Sequence, residues 1–446
     1  MDCCFPRVLG GARQRSGVLV ARAVVATAPK LVPHRRWLTS AAAASVSFAW
    51  AAEDVVLIPA AESLGLSVQL SSMVFASNAI LGLCVSPAVA AWSDRQRRRH
   101  HLLVAATIGA VAGALGLASA CSSCTATWPR PVCLVLLFAS AALMEFCVDL
   151  MLIAGRALAC DHATGDDELA AANAAFGLCI NLGRLLGLLV GSLPLQTMGF
   201  SDYEGSLVLC TAAAVVVGVG ITIVSTPDVA HERRPLPAQA LDDAASAGAC
   251  RGGWQQAPWR VQLLLAQTVV AWVAIVCLGM YFTSAPLVTN SRLLAGTLRA
   301  DQLAMAVQSA SAIVVSRLLV FVNRLFGTKR VNDAAFFVHC VCLSVVCQVR
   351  SSPSLMVLMA CSGITCAVID CNPFIICEAI NASEAERAQT IAWLDNTLNV
   401  AQVLCSLCLG TLLNWLSGDH ASLFACVGGL CSVALLGAVV LDWLAQ

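Results

Sequence analysis

The chain is 446 residues long, 59% hydrophobic and only 12% charged, with 26 basic and 26 acidic residues and a mean hydropathy of +0.81. An average soluble domain is about 25% charged, so this chain cannot cover a globular surface with polar groups. Zero net charge argues against a polyanion partner, and the apolar composition against a soluble enzyme or a disordered scaffold. The expectation is an integral membrane protein.

Residues 1–37 form a basic tail with seven cationic side chains, Arg7 to Arg36, and one acid, Asp2. The tail reads as cytosolic under the positive-inside rule, with an organelle transit peptide as the alternative. A membrane-spanning helix needs about 20 mostly apolar residues. Such runs fall at 38–62, 68–92, 102–121, 131–154, 170–192 and 206–225, then at 260–283, 301–320, 333–349, 354–380, 390–416 and 421–444. The segments lack the two-residue alternation of a barrel strand, so each predicts a helix. The fold expectation is all-α: twelve transmembrane helices in two six-helix bundles, 38–226 and 260–446. Residues 227–259, rich in Pro, charge and an Ala/Ser/Gly tract, read as the linker between them.

Cations set the orientation. With the N-terminus cytosolic, twenty of the 26 fall on the inner side, four (Arg130, Arg292, Arg299, Arg350) on the outer side, and Arg184 and Arg317 within spans. Both termini are then cytosolic, and the sequon Asn381-Ala-Ser383 faces the inside, where it stays unglycosylated. Most of the 23 cysteines stand singly in apolar runs, as small packing residues without metal-site spacing. Cys121-Ser-Ser-Cys124 falls in an expected outer loop, as two thiols or, alternatively, a disulfide. Cys3 and Cys4 are a weak palmitoylation signal. A faint repeat pairs the basic loop Asp94–Arg99 with Asn323–Arg330, at equivalent places in the two halves.

Ionisable side chains inside spans mark cavities and pathways because hydrocarbon tolerates them poorly. They are Glu53 and Asp54 in the first span, Glu145 and Asp149 in the fourth, Arg184 in the fifth, Arg317 in the eighth, Asp370 and Glu378 in the tenth and Asp395 in the eleventh. Glu145 and Asp149 lie four apart on one helical face. Two such carboxyls can take and release a proton, or form a structural ion pair with Arg184. Asp395, Glu378 and Arg317 lie near expected cytosolic helix ends and read as reaching to water. Trp50, one turn before Glu53, joins an aromatic surface to a carboxyl, a pairing that suits a sugar's apolar face and hydroxyl edge.

Three stretches carry a family resemblance. The first is Phe48-Ala-Trp-Ala-Ala-Glu-Asp-Val-Val-Leu-Ile-Pro59 with Ser86-Pro-Ala-Val-Ala-Ala-Trp-Ser-Asp-Arg95. The second runs from Glu145-Phe-Cys-Val-Asp149 through Gly155-Arg-Ala-Leu-Ala-Cys-Asp161 to Leu182-Gly-Arg-Leu-Leu-Gly187. The third is Asn372-Pro-Phe374 with Leu394 to Ser406. Together they resemble the major facilitator transporters, and within them the sucrose/proton symporter group of the glycoside–pentoside–hexuronide class, which includes the animal proton-associated sugar transporters. Ala90 and Arg97 replace glycines usual in the gating loop, Tyr281-Phe-Thr-Ser284 lacks an acid common in relatives, and Asp149 and Arg184 stand where relatives often carry Asn.

The resemblance implies a sugar carrier, not an enzyme, working by proton symport and alternating access, with no cofactor or metal and H⁺ as the coupling ion. The alternatives are a transport-inactive sensor of the same fold and a facilitator of another small polar solute. The expected partners are a small sugar substrate and the lipid bilayer, with no nucleic acid and a monomeric state. The plasma membrane is the favoured location, with vacuolar and plastid membranes as alternatives. Glu145 would bind the proton, with Asp149 and Arg184 tuning it. Trp50, Glu53, Arg156, Asp370, Asn372 and Gln402 would serve the solute, and Asp94, Arg95 and Arg98 would gate the inner side.

Overall fold

The computed structural model describes residues 37–67, 99–161, 166–193, 203–226, 259–282, 300–349, 351–380 and 384–444, with scattered helical residues between 70 and 89. Its helices are α1 (Ala41–Ser63), α2 (Arg99–Thr127), α3 (Arg130–Asp161), α4 (Asp166–Ser192), α5 (Tyr203–Ser225), α6 (Trp259–Phe282) and α7 (Ala300–Phe326). They continue as α8 (Thr328–Val345), α9 (Ser352–Ile369), α10 (Asn372–Ile380), α11 (Glu384–Leu404), α12 (Gly410–Trp415) and α13 (His420–Leu444). Ten of the spans assembled from these elements are long and apolar enough to cross a bilayer. Eleven of the twelve expected spans coincide with described helices. The other, 68–92, lies mostly outside the described residues. So do the N-terminal tail, linker residues 227–258, the sequon and the loop of Asp94, Arg95 and Arg98.

Three local expectations are corrected. The tenth span is not one helix: it breaks at Asp370–Cys371 between α9 and α10. Pro373 is the cause, since it has no N–H to give and its ring clashes with the carbonyl four residues back. The eleventh span passes through a π-helical turn, Cys405–Leu409, before α12. One extra residue per turn there shifts the face that each half of the span presents. Cys121 to Cys124 lie within the last turns of α2, which runs to Thr127, and not in a loop.

Helices before the linker pack chiefly on one another: α1 on α3, α4 and α5, and α2 on α3 and α5. Those after it do likewise, with α6 on α11 and α13, α7 on α9, and α8 on α9 and α13. The α4–α7 pair is the most extensive contact between the two sets. Each set carries a matching tie at corresponding ends. His100 Nε2 meets Thr226 Oγ1 at 2.8 Å, joining α2 to the end of α5, and Lys329 pairs with Asp442, joining α8 to α13. In α1, 78% of the apolar window is buried, against 33% in α5 and in α13. α1 is therefore central, and α5 and α13 turn apolar side chains such as Val216, Val217, Leu436 and Leu441 outward.

In lipid, helices gain little from hiding apolar surface, so small residues that permit close backbone approach decide who packs with whom. Gly183 and Gly187 stand one turn apart on α4 and receive α1. A Cβ on Gly187 would lie 2.8 Å from the Ala51 methyl and 2.9 Å from the Phe48 carbonyl, and one on Gly183 would collide with the Ala44 carbonyl. Backbone cannot yield as a side-chain tip can. Gly183→Leu is expected to destabilise the protein by about 3 kcal/mol or more, whereas Gly220→Ala, with nothing within 4 Å of the added methyl, should be neutral. Thermal unfolding of the purified variants in detergent checks both.

Candidate solute and proton site

The fourth expected span, α3, places Glu145, Asp149 and Arg156 on one face, four and seven residues apart. Across from them α11 presents Asp395, Asn399 and Gln402, four and three apart. The two faces meet as an antiparallel ladder. Gln402 Nε2 donates to Glu145 Oε1 at 3.3 Å, Asn399 hydrogen-bonds the Asp149 carboxyl, and Arg156 Nε lies 3.9 Å from Asp395 Oδ1. Glu145 and Asp149 are 2% and 8% exposed, so these rungs form away from water. Every rung joins a helix preceding the linker to one following it.

Arg156 is the most enclosed cation. Its guanidinium carbon is 4.0 Å from the centroid of the Phe374 ring and 4.8 Å from that of Phe176, so the planar group lies against aromatic surface from α10 and α4. Such contacts strengthen when both partners are desolvated. Beside it, the break after α9 frees Asp370 from the regular helix. Asn181 Nδ2 donates to Asp370 Oδ2 at 3.1 Å and to the Gly177 carbonyl at 2.9 Å. Gly177 allows this approach, since a Cβ there would sit 2.9 Å from Cys371 Sγ.

These groups border a closed cavity between the halves, lined by Trp50, Arg156, Trp272, Asp370, Phe374 and Asp395 with aliphatic side chains from α3, α4 and α11. About 30 Å³ of it is open to water, room for one or two molecules.

The site residues expected from sequence separate into groups. Trp50, Arg156 and Asp370 line the cavity. Glu53, expected to touch solute, is 2% exposed and instead shares the field of Glu145, Asp54 and Asp149. Gln402 bonds Glu145. Asn372 exchanges amide bonds with Asn323 at 2.8 and 3.2 Å and donates to the Thr328 carbonyl at 3.3 Å, so it fastens the helix break and is not part of the cavity lining. Arg184 pairs with Asp54 at 3.8 Å, not with Asp149. Asp395 does not reach to water: its side chain is 12% exposed and faces Arg156. Arg317 lies 5.8 Å from the ring of Trp37, which precedes α1.

Sequence reading missed Asn181, Asn399, Thr268 and Trp272 as site residues. The Asp395, Asn399, Gln402 spacing was a visible signal for one of them. Asn181 carried none, because its relevance comes from a helix distant in sequence.

A long-helix architecture with a polar, closed centre between two similar halves narrows the comparison, and the sequence profile of the Major Facilitator Superfamily matches residues 37–334. The chain belongs to the major facilitator superfamily. It is an integral, multi-pass membrane protein of a transporter family and not an enzyme. Over 208 residues, 43% of this chain and 26% of the relative, it is 30% identical to "Proton-associated sugar transporter A" of Homo sapiens. Over 206 residues, 42% of this chain and 37% of the relative, it is 27% identical to the "General alpha-glucoside permease" of Schizosaccharomyces pombe. The matched part is thus well under half the length of these relatives. A crystal structure of the peptide transporter POT in complex with sulfate superposes with a TM-score of 0.66 at 16% identity, covering 94% of this chain and 97% of that one. At that identity the likeness concerns the fold.

The Arg184–Asp54 pair joins α1 and α4, both about one-fifth exposed. Breaking a shielded pair from one side leaves a lone charge. Arg184→Ala and Asp54→Asn should each destabilise this facilitator-family protein, and the double variant should recover about 1–3 kcal/mol of the summed loss. A double-mutant cycle on thermal unfolding measures it.

Proposed function

We propose that the protein is a secondary active carrier that moves a sugar, sucrose or a related glycoside, by proton symport with alternating access. The two bundles, 38–226 and 260–446, would rock about the central cavity, with the termini and the 227–259 linker in the cytosol. The observation that carries this reading is the α3–α11 ladder: it sets the carboxyls Glu145 and Asp149 against amides of the opposite half. Similarity to proteins named as sugar transporters supports the substrate class.

The ladder can join protonation to movement. An ionised Glu145 accepts the Gln402 N–H in a charge-assisted bond, roughly twice as strong as a neutral one. A proton on Glu145 removes that charge, weakens the rung and lets α11 leave α3. Asp149 with Asn399 repeats the arrangement one turn along, and the buried Glu53 carboxyl of α1 lies within electrostatic reach of both acids. Arg156 would hold the closed state through Asp395 and the two phenylalanine rings until solute or proton arrives. Arg184, already paired with Asp54, would set the local field without binding the proton.

The test is uptake of radiolabelled sucrose and glucose into liposomes carrying the purified protein, with and without an inward acid gradient. An acid-stimulated uptake is expected. Glu145→Gln should reduce that stimulation about tenfold or more, the equivalent of one charged hydrogen bond, while leaving sugar exchange at equal pH on both sides. Gradient-driven uptake that survives Glu145→Gln would remove Glu145 from the proton role. Absence of uptake for any sugar would return the chain to a non-transporting reading.

A further inference from the structure

We propose that Trp50 and Trp272 form a two-sided clamp for a single sugar ring, one indole from each half, and that Trp272 sets the preference for a cyclic over an open-chain polyol. The inference rests on the sugar reading above and assigns residues to it. The two tryptophans occur in similar local sequences, Ala49-Trp50-Ala51-Ala52 in α1 and Ala271-Trp272-Val273-Ala274 in α6, which differ at Ala51 and Val273. The small residues of the two motifs are buried alike, with Ala49 and Ala274 at 0% and Ala52 and Ala271 at 1% exposure. Both tryptophans line the same cavity.

The polar groups of that cavity complete the case. Trp50 Nε1 and Arg156 Nε and Nη1 are buried donors without a hydrogen-bond partner among the described residues. Arg156 is 5% exposed. Unmet donors at such depth are unfavourable unless a ligand satisfies them. Asp370 and Asp395 supply acceptors on the same wall. A ring sugar offers what this set lacks: hydroxyl oxygens for the donors, hydroxyl hydrogens for the carboxyls, and C–H faces for two indoles. A linear polyol has the hydroxyls but no ring face.

Two stacked contacts need the indoles roughly 7–8 Å apart, twice an optimal carbon–carbon separation. The present cavity has room for no more than a water molecule or two, so the ring would be gripped as the halves close on it. Because one indole belongs to each half, closure without solute would lack the stacking contact, and the clamp would favour the loaded crossing.

The experiment uses the full-length protein in liposomes with radiolabelled sucrose, maltose, glucose and, as the ring-less probe, sorbitol. Trp272→Leu and Trp50→Leu should raise KM for the transported sugar about tenfold with Vmax little changed, while Trp272→Phe stays within about threefold. Sorbitol should be neither carried nor an effective competitor. A variant that merely folds poorly would lower Vmax at constant KM, and size-exclusion chromatography reports that loss independently. Unchanged KM in Trp272→Leu, or sorbitol competing as well as the sugars, would overturn the clamp while the sugar reading stands. A wild-type protein that moves none of the three sugars would overturn both.

Discussion

An ion in hydrocarbon must be neutralised, and that constraint organises the centre of this molecule. Six carboxyl side chains, those of Glu53, Asp54, Glu145, Asp149, Asp370 and Asp395, face two guanidiniums, Arg156 and Arg184, between the described helices. Two cations cannot balance six carboxylates. The remainder is met by amide donors, Asn181, Asn399 and Gln402, and by whatever protons or ligands the site takes up.

The charges are not pooled. Arg184 and Asp54 neutralise each other within the first half. Arg156 reaches across to Asp395 and lies on Phe374, so its bonds hold the halves together. Glu145 and Asp149 meet amides of Gln402 and Asn399 on α11. The pair within the first half, the contact across the halves and the carboxyl–amide rungs thus fall on different residues. The glycines of α4 serve this division, because close approach of α1 and α4 brings Asp54 to Arg184 and leaves Trp50 at the cavity.

Substitutions relative to the family pattern acquire a physical account here. Arg184, at a position where the family resemblance leads one to expect Asn, is compensated by Asp54. Asp149, the other such position, has an Asn of its own on α11. Each added charge sits beside a group able to meet it.

Hydropathy was enough to read the membrane class and nearly every span, because lipid imposes length and composition on each helix separately, while the resemblance to the facilitator family rested on short sequence motifs. The face shared by Glu145 and Asp149 was also legible, since 3.6-residue periodicity is local. Pairing was not. Arg184 looked as available to Asp149 as to Asp54, Asp395 looked close enough to a helix end to reach water, and Asn372 looked like a solute contact until Asn323 and Thr328 took its amide. Which polar groups meet depends on how helices tens to hundreds of residues apart are rotated and how closely they approach. That is decided by small-residue packing and by the breaks at Pro373 and Cys405–Leu409, none of which a linear periodicity contains.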